Sequence, residues 1–275
     1  MSTTLCLEDI LLDPAIKLVF ITAANAAHKP LTLKALAAGK AVMCEKPMAT
    51  TLEDAWSMVE AAERYKGFLQ IGFELQKASW RNKKDICGFM FGEKLSHYVD
   101  LPRWWIGSEV SEVYSVCSPN ITPYSEVRDN YHTTYRFSNG AVSHLTYISG
   151  PAATFKGDPL QNVLSQQLGD GHALRYLIVG TKGAIETDVF ARTVKRWEFK
   201  DLPEGSTSTL VESLTWSPEE DHSYFHNTCE QTHDIVRRVA QGLPPKTLPR
   251  DSYETMRLCF LAEESADSGK VISLK

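Results

Sequence analysis

The first third of the chain alternates short apolar runs with stretches in which apolar residues recur at helical spacing. Ile16–Thr22 is rich in β-formers and ends in small residues, which predicts a strand. In Lys29–Gly39, Leu31, Leu33, Leu36 and Ala37 fall roughly on one helical face, and Gly39 stands where a helix C-terminus favours glycine. Ala41–Cys44 is a second short strand, running into Pro47. Thr51 and Asp54 mark the start of a helix through Tyr65, with aspartate in place of the usual glutamate of a capping box. Gly67 closes that helix, and Phe68–Phe73 predicts a third strand. Strand–helix–strand–helix–strand implies βαβ crossovers and a parallel sheet.

From about Lys77 the texture changes. Residues 77–92 are irregular, polar and aromatic, and Glu93–Ile106 regains helical periodicity through Leu95, Val99, Leu101, Trp104 and Trp105. Six β-type segments follow: Val113–Cys117, His132–Phe137, Ala141–Ile148, Leu174–Val179, Gly183–Thr187 and Val194–Phe199. Turn signals separate them, notably Ser138-Asn139-Gly140 and Gly180-Thr181-Lys182-Gly183, and residues 150–172 predict a long loop. Two helices, near Ser223–Gly242 and Ser252–Ser268, precede a terminal strand Val271–Leu274. The layout is α/β: a parallel unit over residues 1–76, then an α+β domain over 77–275 built on a large mixed or antiparallel sheet with helices on one face.

Bulk properties narrow the function classes. The 275 residues are 43% hydrophobic and 23% charged, an ordinary globular balance. A formal net charge of −5 favours neither nucleic acid nor an anionic membrane surface as a partner. No stretch approaches the ~18 consecutive apolar residues of a membrane span. Met1–Leu12 is polar and then acidic, without the basic-to-apolar order of a secretory signal. The six cysteines are scattered and form no C-x-x-C pair, so reduced, buried or idle thiols in a cytoplasmic protein are expected, with no metal site.

Two motifs carry chemistry. Glu45-Lys46-Pro47 directly follows a strand, and ligands of parallel sheets bind at the C-terminal strand ends. A lysine held there beside a carboxylate can donate to a substrate hydroxyl and depress the pKa of a neighbouring acid–base group. The same pair, taken alone, also fits a solvated surface pair. Glu93-x-x-x-His97-x-x-Asp100 opens the tryptophan-rich helix, and its spacing puts the three side chains on one face. A carboxylate one turn from a histidine can set its tautomer for general-base work; a structural histidine reads the same way.

Other signals are weaker. His222, His226, Cys229 and His233 line one face if their segment is a helix, which fits packing better than zinc. Trp80, Tyr98, Trp104 and Trp105 can stack on a sugar, though core packing explains most of them.

Taken in order, the motifs and their surroundings resemble one family. Asp13–His28 (D-P-A-I-K-L-V-F-I-T-A-A-N-A-A-H), Ala35–Pro47 (A-L-A-A-G-K-A-V-M-C-E-K-P), Ile71–Leu75 (I-G-F-E-L) and Glu93–Val110 are similar to the glucose-fructose oxidoreductase / inositol dehydrogenase / MocA (Gfo/Idh/MocA) oxidoreductases. Fainter similarity continues through Asp129-Asn130, Ile178–Glu186 and Ala262–Ser265. The resemblance implies a Rossmann-type cofactor domain, NAD or NADP, and hydride transfer between nicotinamide and a secondary alcohol of a sugar, cyclitol or diol. It implies Lys46, His97 and Glu93 as the catalytic set, with His97 as acid–base residue and Glu93 where relatives often carry aspartate. It places Thr22, Asn25, His28, Glu45 and Lys46 along the cofactor, and it implies a homo-oligomer formed through the C-terminal sheet.

The sequence also departs from the family. Members open with a strand, a G-x-G-x-x-G turn and a helix whose N-terminus holds the pyrophosphate; this sequence contains no G-x-G-x-x-G. The expectation is an N-terminally truncated member, with weak or absent cofactor binding and with Val19, Phe20 and Ile21 uncovered along an open strand edge. A non-catalytic relative serving as an oligomerisation or interaction module is the alternative.

Overall fold

The computed structural model describes residues 4, 6–72, 89–121, 125–149, 173–221 and 227–274. The end of the third predicted strand at Phe73, the stretch 77–88, the loop at 150–172, Trp80, His222 and His226 lie outside the described residues. Two compact units divide the chain: Met1–Gly150 with Gln231–Lys275, and Pro151–Glu230.

The first unit begins with a short helix α1 (Leu7–Leu12) and then the expected alternation: β1 (Leu18–Ile21), α2 (His28–Ala37), β2 (Ala41–Glu45), α3 (Leu52–Arg64) and β3 (Leu69–Gly72). The three strands form a parallel sheet in the order β1-β2-β3, registered from Leu18↔Ala41 to Ile21↔Cys44 and from Val42↔Leu69 to Glu45↔Gly72. Sequence dictates these elements directly. Gly39, at φ +72°, ends the α2 turn in a left-handed conformation that favours glycine. Thr51 caps α3 by accepting from the Asp54 amide at 3.1 Å, and the Asp54 carboxylate takes Lys29 at 2.6 Å. Ala55, Met58, Val59 and Ala62, at i, i+3, i+4 and i+7, are all buried.

Among the described residues β1 stands at an edge of the sheet, as expected, but the exposure expected of its side chains needs correction. Ile21 is buried within the core formed by α2, α3 and the sheet, and Val19 packs against that core; only Phe20, 40% exposed, is uncovered. Alternation along a four-residue strand sends neighbouring side chains to opposite faces, so the whole run cannot be exposed together.

The same unit continues with a π-helical turn Phe91–Leu95 leading into α4 (Ser96–Ile106), then β4 (Val110–Val116), β5 (Asn130–Phe137) and β6 (Val142–Ile148). The chain re-enters this unit within α5 (Thr228–Ala240), which starts at the end of the second unit, and closes with α6 (Pro249–Ser268) and β11 (Ile272–Ser273). The strands form an antiparallel sheet ordered β11-β4-β5-β6. Helix α6 joins both cores: Met256 belongs to the parallel-sheet cluster, while Leu258, Cys259 and Ala262 pack with Phe91, Leu95, Val99, Tyr131 and Tyr135. Pro249 opens this helix and Gly269, at φ +67°, ends it.

The second unit is an antiparallel sheet ordered β10-β9-β8-β7, from β7 (Arg175–Gly180), β8 (Gly183–Asp188), β9 (Thr193–Leu202) and β10 (Gly205–Thr215). Among the described residues, the strand-rich second half thus resolves into two four-stranded antiparallel sheets. Gly180-Thr181-Lys182-Gly183 is a hairpin turn between β7 and β8, and β10 is an eleven-residue strand for which the pattern gave no signal.

Candidate active site

The site lies at the C-terminal ends of the parallel strands, where β1 and β2 hand over to loops. Strand β2 ends at Glu45, but the Lys46 amide still donates to Gly72 O at 3.0 Å, extending the β3 pairing by one residue. Pro47 has no N–H and stops the ladder. The Lys46 side chain then runs to the π-helical turn. Its Nζ donates to the main-chain oxygen of Glu93 at 2.8 Å and to Glu93 Oε1 at 3.0 Å, and the two side chains are 4% and 1% exposed. Asn25, also buried, donates from Nδ2 to Glu93 Oε2 at 3.3 Å. Glu93 therefore gathers groups from the β1 loop and the β2 loop, 68 and 47 residues away.

Local conformation makes this reach possible. A π turn inserts a residue into the helical ladder and re-aims the side chains around it, a feature common at functional sites. Gly92 lets the turn approach closely: a Cβ there would lie 3.0 Å from the Phe89 ring and 3.5 Å from Pro47 Cβ. His97 is half-buried one turn beyond Glu93, its ring centroid 6.3 Å from that of Tyr98. Thr22 is exposed just after β1, followed by Ala23 and Ala24, whose methyl side chains leave the backbone accessible. Glu45 is half-buried and its Oε2 accepts from the Lys46 amide at 3.3 Å. His28 is fully buried with both ring nitrogens against main-chain carbonyls, Nδ1 at 2.7 Å from Pro47 O and Nε2 at 3.0 Å from Ala23 O.

Asp100, the third member of the helical motif, points elsewhere. Its Oδ1 accepts from Thr255 Oγ1 at 2.6 Å, and Arg103 donates to the same hydroxyl at 2.9 Å and to Asp251 at 3.0 Å, so this group docks α4 onto α6. Burial raises the Asp100 pKa despite the Thr255 hydrogen bond and Arg103. Two potential nucleophiles or bases nearby are silent. Burial pushes the Cys44 thiol up to about 12, and burial, with Tyr147 beside it, pushes the Tyr98 phenol up to about 12. Among the aromatic residues, Tyr98 packs against the second core, but Trp104 is 78% exposed, so core packing does not account for it. Among the described residues, no three His, Cys, Asp or Glu side chains are grouped so as to hold a metal ion.

Sequence spacing joined Glu93 to His97 and Lys46 to Glu45; the salt bridge between Lys46 and Glu93, and the Asn25 contact, depend on tertiary approach that spacing does not encode. The arrangement brings a cationic donor and a carboxylate together at the strand ends, and His97 lies one helical turn beyond that carboxylate in sequence.

The profile described as "Oxidoreductase family, NAD-binding Rossmann fold" matches residues 2–73, and "Oxidoreductase family, C-terminal alpha/beta domain" matches residues 58–274. The uncharacterized oxidoreductase YrbE of Bacillus subtilis (strain 168) is 26% identical over 212 residues, 66% of this chain and 58% of that protein. The 1,5-anhydro-D-fructose reductase of Ensifer adhaerens is 42% identical over 72 residues, 26% of this chain and 22% of that protein. The chain thus spans less than two thirds of these relatives. In fold, it is similar to levoglucosan dehydrogenase solved with NADH and levoglucosan, with TM-score 0.77 and 21% identity over 98% of this chain and 83% of that one. No helix among the described residues is long and apolar enough to cross a membrane. Matched by family profiles from residue 2 to residue 274, the chain belongs to the Gfo/Idh/MocA oxidoreductase family.

Proposed function

We propose that this chain is a nicotinamide-dependent dehydrogenase acting on a secondary alcohol of a sugar, cyclitol or related diol. The observation that carries this reading is the buried contact of Lys46 Nζ with Glu93, 2.8 and 3.0 Å, which joins two motifs far apart in sequence at the strand ends. Lys46 is the donor to the substrate oxygen, Glu93 holds that ammonium in place, and His97 takes the hydroxyl proton as general base. Thr22, Asn25, His28, Glu45 and Lys46 belong to the two loops assigned to the nicotinamide end. The nicotinamide, when bound, supplies the acceptor for the hydride leaving the carbinol carbon. Lacking a G-x-G-x-x-G turn, the chain holds the pyrophosphate weakly, so cofactor affinity is low. Residues 1–76 serve the cofactor, residues 77–275 serve substrate and self-association, and the setting is cytoplasmic.

Titration with NADH, followed by nicotinamide fluorescence, tests this reading. Saturable binding is expected, and its absence at millimolar NADH would refute it. Replacing Lys46 by Ala should lower turnover by orders of magnitude while NADH affinity hardly changes; unchanged turnover would remove Lys46 from its role.

A second role finds support in the second unit. Leu177 and Val179 on β7 are 68% and 64% exposed, and such apolar exposure suits contact with a second copy of the chain. A dimer by light scattering is expected, and Leu177→Asp should make it a monomer.

A further inference from the structure

The His28 imidazole is a fully buried polar group at the strand ends that moves no proton in the proposed reaction. Ala23, which faces Nε2 at 3.0 Å, lies in the loop after β1, and Pro47, which faces Nδ1 at 2.7 Å, lies in the loop after β2. The β1–β2 ladder ends at Ile21↔Cys44, so beyond that point the two loops need another tie. We propose that His28 is a positioning residue for Lys46: carried at the start of α2, its ring donates from Nδ1 to Pro47 O and fixes the main chain from which the lysine side chain departs. This rests on the role given to Lys46 above.

The anchoring runs as a sequence of contacts around Lys46. On one side its amide is held by Gly72 O at 3.0 Å. On the other side Pro47 offers only a carbonyl, since it has no N–H, and His28 takes that carbonyl at 2.7 Å. At the tip, Nζ is held by Glu93. A rotation of the Lys46–Pro47 backbone would swing Nζ away from Glu93, and the histidine clasp opposes that rotation. A carbonyl oxygen only accepts, so the shorter contact requires a hydrogen on Nδ1. With its nitrogens directed at main-chain oxygens, the ring serves the cofactor loops from behind.

Three measurements on the full chain decide the matter. In ¹⁵N-histidine spectra of the wild type, His28 Nδ1 should carry a hydrogen; a bare Nδ1 would overturn the proposal whether or not any variant folds. In His28→Phe, which keeps a ring but loses the Nδ1 donor, the Lys46 ammonium ¹⁵N signal, identified by its loss in Lys46→Arg, should shift or broaden. Turnover should fall by about a hundredfold with NADH affinity little changed, as expected for a misplaced catalytic group. His28→Gln, which retains a side-chain N–H donor, should recover much of both. A folded His28→Phe with unaltered Lys46 signal and turnover would overturn the proposal. If the wild type binds no NADH, the dehydrogenase reading falls, while the ring and ammonium signals still decide the role of His28.

Discussion

The two units are held together by different physics. In the first, Val42, Cys44, Ala55, Met58, Val59 and Leu69 are wholly withdrawn from water, and α6 ties their cluster to a second one around Tyr131 and Tyr135. In the second, Arg192 and Asp221 are the only buried side chains among the described residues. They form a bidentate pair, 2.8 Å on both arms, and Trp216 Nε1 adds a third hydrogen bond to Asp221 at 3.0 Å. One unit excludes water with apolar surface, the other with an ionic lock between the turn before β9 and the segment after β10. Among the described residues, the contrast shows a regular hydrogen-bonded ladder without a buried apolar cluster of its own.

Breaking the lock should therefore produce the largest effect. Asp221→Ala takes the bidentate carboxylate from a buried guanidinium, a loss of about 3–5 kcal/mol. Denaturant unfolding followed by Trp197 and Trp216 fluorescence should show it; a cost below about 1 kcal/mol would mean that the ladder alone sustains this sheet. The matching test in the first unit is Leu69→Ala, which opens a cavity beside Val42 and Ile71 and should cost about 2–5 kcal/mol. Next in size, Thr51→Ala removes the α3 cap and should cost about 1 kcal/mol, seen as a lower denaturation midpoint with unchanged slope. An equal cost for Leu69→Ala and Thr51→Ala would contradict the view that apolar burial dominates that unit.

The same contrast explains what could be read from the sequence. Where an element has a local start signal or meets a core on one face, the sequence carries it: Thr51 and Asp54 marked the start of α3, and the spacing of Ala55, Met58, Val59 and Ala62 matches its buried side. Where the described residues form no buried apolar cluster, as in the second unit, periodicity has nothing to report. Strand β10 is Ser- and Thr-rich and exposed along its whole length, so its sequence resembled a loop, and pairing with β9 from Gly205↔Leu202 to Thr215↔Thr193 makes it a strand. The site divides in the same way. Glu45-Lys46-Pro47 was legible because a strand end and a proline are local events. The π turn at Phe91–Leu95 was not, because spacing arguments assume 3.6 residues per turn. With the turn went the knowledge that Glu93 faces Lys46.

The smallest expected effect is the most discriminating, because it has opposite signs in the two units. Asp100, in the first unit, has its pKa raised by burial, so its folded form holds a proton more tightly than its unfolded form. Its contribution is fully present below the ordinary aspartate pKa and is lost as pH rises through the elevated folded value. Asp188, in the second unit, is partly desolvated, but the Ala191 amide at 3.0 Å and Arg175 at 2.6 Å outweigh that and lower its pKa. Its contribution is present above the ordinary value and is lost as pH falls through the depressed one. Comparing each Asn variant with the wild type by denaturation across the acid range separates the two. Asp188→Asn should destabilise by at most about 1 kcal/mol near neutrality, because the Arg175 partner is exposed, and the gap should close in acid. Asp100→Asn should show the reverse, its disadvantage growing as the wild-type carboxyl becomes protonated and narrowing toward neutral pH. Parallel pH profiles for the two variants would mean that desolvation does not govern the polar groups of the first unit, and the distinction between a burying unit and a paired one would fail at its edge.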